Sequence, residues 1–213
     1  MAKKTTTKLP QKVIDYLEKA GIDHEVLEHK TVYTAIDAAN TLKRKMGEIA
    51  KSLIVKADQD YFLVLLPADH NLDFNKLKKE ISKSKGRDVK VVKIPGEKIV
   101  ENALKVKAGT LTAFGNMHKV PVIIDKQLQK SKKAIFSAGS LNHSLEIAVN
   151  DFVNLENALL ANFGIKKKIK AQAKTAPKKK KTVKKATVKP KKKVAKKPVK
   201  KIVKKKTTSK KKK

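Results

Sequence analysis

The sequence predicts an α/β domain on a mixed sheet, followed by a disordered cationic tail. Three observations lead there. Helical and strand periodicities alternate along residues 1–165, and the strands are joined both by hairpins and by helical crossovers. Nearly all the Leu, Ile, Phe and Tyr lie in the same residues, enough to bury one core. Residues 166–213 instead hold 26 lysines among 48 residues, with no acidic and no aromatic side chain. Such a segment cannot bury enough apolar surface to offset its chain entropy, and its lysines repel one another. The tail carries +26 of the formal net charge of +34, which leaves +8 on the first 165 residues.

The elements follow in order. Pro10 suits a first helical turn, Val13, Ile14 and Leu17 share a face, and Gly21 is placed to end that helix near Ala20. A short strand is expected at His24–Glu28. Thr34, with Asp37 three residues on, resembles a capping box, and Ala35, Ala38, Ala39 and Leu42 continue at helical spacing. Ser52–Ala57 and Tyr61–Pro67 read as two strands around a hairpin at Asp58-Gln59-Asp60. The second run is apolar on both faces, so it belongs in the middle of a sheet covered on both sides. Asp73 caps a helix to about Ser82, and Gly86 ends that region. Asp88–Ile94 alternates like a strand, and Pro95-Gly96 starts a helix to about Leu104. A glycine-containing loop, Ala108–Asn116, precedes a strand at Val120–Asp125. Two more strands, near Ala134–Ser137 and Leu145–Val149, flank a turn at Gly139–His143. Asn150 or Asp151 caps a last helix ending at Gly164.

Several function classes are excluded. The absence of cysteine removes disulfides, thiol catalysis and Cys-based zinc sites, and fits an intracellular location. The basic N-terminus has no apolar stretch after it and is not a secretory signal. No apolar run approaches the roughly 18 residues of a membrane span. There is no phosphate loop, no Gly-x-Gly-x-x-Gly turn, no His-Glu-x-x-His pair and no serine in a nucleophile elbow. The five histidines lack metal-ligand spacing, so neither a metal nor another cofactor is expected.

What remains is a set of small polar groups at element ends, where functional residues concentrate. They are Tyr33-Thr34, Lys51, Asp69-His70, the Gly109–Gly115 loop, and the turn from Gly139 and Ser140 to His143. Each has an ordinary explanation as well: a helix cap at Thr34, a solvated charge at Lys51, and turn chemistry at the glycines.

Taken together, these segments resemble the YbaK-type aminoacyl-tRNA deacylases, which are related to the editing domain of bacterial prolyl-tRNA synthetases. The resemblance spans about His29 to Phe152 and rests on five segments in order. They are His29-Lys30-Thr31-Val32-Tyr33-Thr34-Ala35 with Ala38-Ala39; Ile49-Ala50-Lys51-Ser52-Leu53-Ile54-Val55; Leu63–Leu66 with Pro67-Ala68-Asp69; Gly109-Thr110-Leu111-Thr112-Ala113-Phe114-Gly115; and Ser137-Ala138-Gly139-Ser140 with His143 and Leu145-Glu146-Ile147.

The resemblance implies a mixed, partly barrel-like sheet flanked by helices, and hydrolysis of mischarged aminoacyl-tRNA without a metal. It implies catalytic roles for Lys51 and Gly139. It implies substrate contacts from Tyr33, Thr34, Asp69, Gly109, Ala113, Phe114, Gly115, Ser140 and His143. One departure stands out: the family's substrate loop carries proline where this chain has Ala113, and a proline would stiffen that loop.

The lysine tail attracts phosphates without base stacking, so it is expected to bind tRNA, rRNA or DNA without sequence preference. Two functions therefore compete. One is a trans-acting deacylase, domain 1–165, whose tail 166–213 gathers tRNA. The other is a nucleoid-type nucleic-acid-binding protein with an inactive deacylase-like domain. Either would be cytoplasmic, in association with ribosomes or nucleoid.

Overall fold

The structure, a computed structural model, describes residues 9–106 and 111–167. Nearly all of the expected tail therefore lies outside the described residues, as does Gly109. The described helices are α1 (Gln11–Lys19), α2 (Ala35–Leu42), α3 (Phe74–Lys85), α4 (Glu97–Leu104) and α5 (Val149–Glu156). The strands are β1 (His24–Glu28), β2 (Ala50–Ala57), β3 (Asp60–Pro67), β4 (His70–Leu72), β5 (Val92–Lys93), β6 (Val122–Asp125), β7 (Lys133–Ser137), β8 (His143–Ala148), β9 (Leu159–Ala161) and β10 (Gly164–Lys166).

Five strands form a mixed sheet in the order β5-β2-β3-β6-β9, antiparallel on the β2 side and parallel from β3 to β9. Three form an antiparallel sheet, β1-β8-β7, and β10 pairs with β4. A bridge between Ile49 and Ile135 ties the two larger sheets at one corner, giving the partly barrel-like closure.

The apolar pattern explains this arrangement. β3 sends Leu63 and Leu65 into a core between the two sheets, and Phe62, Val64 and Leu66 into a second core under Leu77 and Ile81 of α3. It is the central, doubly covered strand that its composition predicts. In the first core Phe136 stacks on Phe152 at 4.1 Å between ring centroids, and Phe114 leans on Phe152 at 5.4 Å. Each such side chain contributes about 1.5–3 kcal/mol by leaving water. A third core packs Ala38 and Ala39 of α2 against Ile49, Ala68 and Ile135.

Two expectations need correction, and one pairing was not foreseen. The strand expected over Asp88–Ile94 is only Val92–Lys93. The Asp58 carboxylate accepts the N–H groups of Lys90 and Val91, so a side chain takes the place of a strand ladder there. The last helix starts at Val149 without a side-chain cap and stops at Glu156, not Gly164. Asn157 takes a left-handed conformation (φ 46°), and Leu159–Ala161 then pairs beside β6. The pair β4–β10 was not expected at all, because three-residue strands carry too little periodicity to be read.

Candidate active site

A cleft of about 410 Å³ lies between the start of β2, the end of β7 and the first turn of α2. One edge of β2 is paired with β3 along its length. Among the described residues its other edge meets β5 only at Lys56 and Ala57. Ala57 and Asp60 close the two-residue hairpin as a hydrogen-bonded pair, and bonded pairs alternate from there. The backbone N–H and C=O of Ser52 and Ile54 therefore face the free edge. A strand edge of this kind offers donors and acceptors to a ligand.

Lys51 lies on this strand. Its Nζ donates to the carbonyl of His70 at 3.1 Å, and burial together with the nearby Lys167 ammonium holds its pKa below the ordinary lysine value. The Asp69 carboxylate and the His70 Nδ1 are 2.7 Å apart at the β3–β4 turn. Thr34 completes the expected capping box of α2: its Oγ1 accepts from the Asp37 N–H, and its own N–H donates to the Asp37 carboxylate, both at 3.1 Å. Tyr33 stands beside it, 77% exposed, on the cleft wall.

The opposite wall is the turn between β7 and β8. Gly139 has φ of 75°, a conformation that side chains with a Cβ rarely adopt, which is why glycine occupies it. The Ser137 hydroxyl donates to the carbonyl of Leu111 at 2.9 Å and receives the Gly139 N–H at 3.3 Å. Ser140 Oγ and the buried His143 Nδ1 are 3.0 Å apart. The turn is stitched to the segment before α2 by His29 N–H to Asn142 O and Val32 N–H to Leu141 O, both 2.9 Å, and by a His29–Ser144 contact of 2.9 Å.

Lys51, Tyr33, Thr34 and Ser140 thus line one cleft, with Gly139 in the turn between Ser137 and Ser140. Asp69 and His143 are not in its lining: Asp69 contacts His70, whose carbonyl holds the Lys51 ammonium, and His143 contacts Ser140. Ala113, Phe114 and Gly115 are placed differently. Ala113 and Phe114 are fully buried, and Ala113 donates its N–H to Ser137 O at 2.9 Å. A Cβ on Gly115 would collide with Val120 O and Val122. Ala113 thus braces the end of β7 beside the Gly139 turn, Phe114 packs in the core on Tyr16 and Phe152, and none of the three lines the cleft.

Sequence reasoning passed over two groups. Ser52 Oγ is buried with no hydrogen-bond partner among the described residues, beside Lys51 on the cleft wall. Lys167, counted with the tail by composition, belongs to the fold: its Nζ donates to Ala68 O and its N–H to Asp69 O, each at 2.8 Å. Position next to Lys51 was the one signal for Ser52. Composition carried none for Lys167.

The described residues hold no helix long and apolar enough to cross a membrane. They contain no group of three or more His, Asp or Glu side chains placed to hold a metal ion.

Among solved structures the chain is similar to the hypothetical protein APE2540, with 23% identity over 72% of this chain and 99% of that one and a TM-score of 0.62. It is similar to a candidate trans-editing enzyme for prolyl tRNA synthetase, with 19% identity over 76% and 99% and a TM-score of 0.63. It also matches part of a candidate signal transduction protein from Marinobacter aquaeolei VT8, with 18% identity over 74% of this chain and 31% of that one and a TM-score of 0.54. At these identities the likeness shows a shared fold. No curated protein matches the chain. The model of the aminoacyl-tRNA editing domain matches residues 29–155, from the histidine that pins the cleft wall to the end of α5. The chain therefore belongs to the aminoacyl-tRNA editing domain family.

Proposed function

We propose that this protein hydrolyses the ester bond of mischarged aminoacyl-tRNA in trans. The observation that carries the proposal is the half-buried Lys51 on one wall of a cleft whose other wall carries Ser137 and Ser140, the residues that flank the Gly139 turn.

An aminoacyl ester is already activated, so the site has only to orient it, admit a water molecule and stabilise the oxyanion. Tyr33, exposed at the cleft wall, offers a ring on which the terminal base stacks. Lys51 supplies a cation whose affinity for its proton is lowered by burial and by Lys167. A phosphate or a developing oxyanion beside it restores that affinity and is stabilised in return. Backbone N–H groups at the Gly139 turn and on the free edge of β2 serve as oxyanion donors, and at the turn the glycine presents no Cβ to hinder approach. Water attacks the carbonyl carbon, the bond to the ribose oxygen breaks, and the ribose hydroxyl leaves with a proton.

The lysine-rich C-terminal segment raises affinity for tRNA through phosphate contacts, and for rRNA or DNA by the same physics. A cytoplasmic location follows from such a substrate.

The test is a panel of mischarged tRNAs incubated with the full chain. Release of the amino acid from at least one, faster than spontaneous hydrolysis, is expected. Tight nucleic-acid binding with no release from any member would replace this proposal by the non-catalytic binding protein.

A further inference from the structure

We propose that Lys167 is the second cation of this site, forming with Lys51 a seat for a backbone phosphate near the 3′ end of the bound RNA. The inference rests on aminoacyl-tRNA being the ligand of the cleft.

Three consecutive carbonyls carry the geometry. Ala68 O accepts from Lys167 Nζ at 2.8 Å, Asp69 O from the Lys167 N–H at 2.8 Å, and His70 O from Lys51 Nζ at 3.1 Å. Two ammonium groups are thus anchored two residues apart on one turn, a span of at most about 7 Å of backbone. β10, paired with β4 in the register Lys166 opposite His70, brings Lys167 there from the far end of the fold.

Both lysines are half-buried, and neither has a carboxylate within 4 Å among the described residues. The one carboxylate on the turn, Asp69, is taken by His70 at 2.7 Å. Burial lowers the affinity of Lys51 for its proton, and the repulsion between the two like charges, held near each other without a carboxylate partner, lowers it further. An anion placed between them relieves the repulsion. The partner of the site is RNA, so the anion is a phosphodiester. Lysine meets it as a point charge, with no need of a planar fork.

The test compares two RNA hairpins, identical except that one ends in single-stranded CCA, binding to the full chain by fluorescence anisotropy over a range of salt. The lysine-rich segment contributes equally to both hairpins, so the difference between them reports the cleft. The wild type is expected to prefer the CCA-ended hairpin. Lys167→Met is expected to cut that preference about fivefold to tenfold, and to lower the salt slope for that hairpin by about 0.7, one single-strand phosphate. Lys167→Arg keeps most of the preference, and Lys79→Met, on the exposed face of α3, changes nothing. A thermal melt of each variant confirms that β10 stays docked.

An unchanged preference in Lys167→Met, an equal loss on both hairpins, or a wild type with no preference would each overturn the phosphate seat. The deacylase reading fails separately. A preference lost in Lys167→Met, together with no hydrolysis of any mischarged tRNA, would leave the seat standing without the reaction. Hydrolysis with an unchanged preference would leave the reaction without the seat.

Discussion

Ser52 sits next to Lys51 in sequence and carries a hydroxyl that is buried with no hydrogen-bond partner among the described residues. An unsatisfied buried hydroxyl costs about 1–3 kcal/mol, and its removal leaves a cavity too small to matter. Ser52→Ala is therefore expected to stabilise the protein by roughly 1 kcal/mol, raising Tm by about 2–4 °C in thermal denaturation. A lower Tm would mean that the hydroxyl has a structural partner. Such a group survives in a folded protein where a ligand satisfies it, so the same variant is expected to lose activity while gaining stability. Lys51 was legible from the sequence because a family resemblance pointed at it. Ser52 was not, since serine on a half-buried strand has no distinctive signature.

The elements show where sequence reasoning holds and where it stops. The Thr34–Asp37 box and the Asp73 cap were readable because each is a local exchange of hydrogen bonds within three residues. β3 was readable from its continuous apolar run. β5 was read, but over too long a span, and β9 and β10 were not read, because their pairing partners are distant in sequence and they are three residues long.

The packing of α5 against α1 hides another long-range feature. The Glu156 carboxylate accepts the Tyr16 hydroxyl and the Asn116 N–H, each at 2.9 Å, and burial raises its pKa above the ordinary 4.5. A carboxyl raised on folding contributes stability that is fully present below about pH 4.5 and is lost as pH rises through the folded value. Glu156→Gln removes this titration. Its stability relative to the wild type is expected to increase from pH 4 to pH 7, measured by denaturant midpoints. A constant difference across that range would contradict the assignment. His118, whose pKa burial lowers, contributes with the opposite sign and cancels in the comparison.

At the scale of the whole molecule, a modestly charged fold is joined in sequence to a segment that carries most of the net charge. The resemblance read over His29–Phe152 and the family match over 29–155 agree closely, so the domain's identity was legible without coordinates. The arrangement of its site was less so. Three residues of the expected substrate loop, Ala113, Phe114 and Gly115, are buried and are not among the residues that line the cleft, because which face a loop presents is not encoded directly in sequence. The lysine-rich segment is expected to govern affinity, and the cleft to govern chemistry. Removing residues 170–213 should weaken tRNA binding and lower the slope of log affinity against log salt by about 0.7–0.9 for each phosphate that is no longer neutralised. The rate constant at saturating substrate should be little changed. A truncated protein with full affinity and full salt dependence would contradict this division.

The most direct test replaces Lys51. Deacylation of the mischarged tRNA that the wild type cleaves fastest is to be measured at saturating enzyme for Lys51→Ala, alongside circular dichroism to show that the sheet is intact. Loss of a positioned cation from a half-buried site predicts a fall of about 100-fold or more in the first-order rate with an unchanged fold. A folded Lys51→Ala protein that hydrolyses the ester at the wild-type rate would contradict the account.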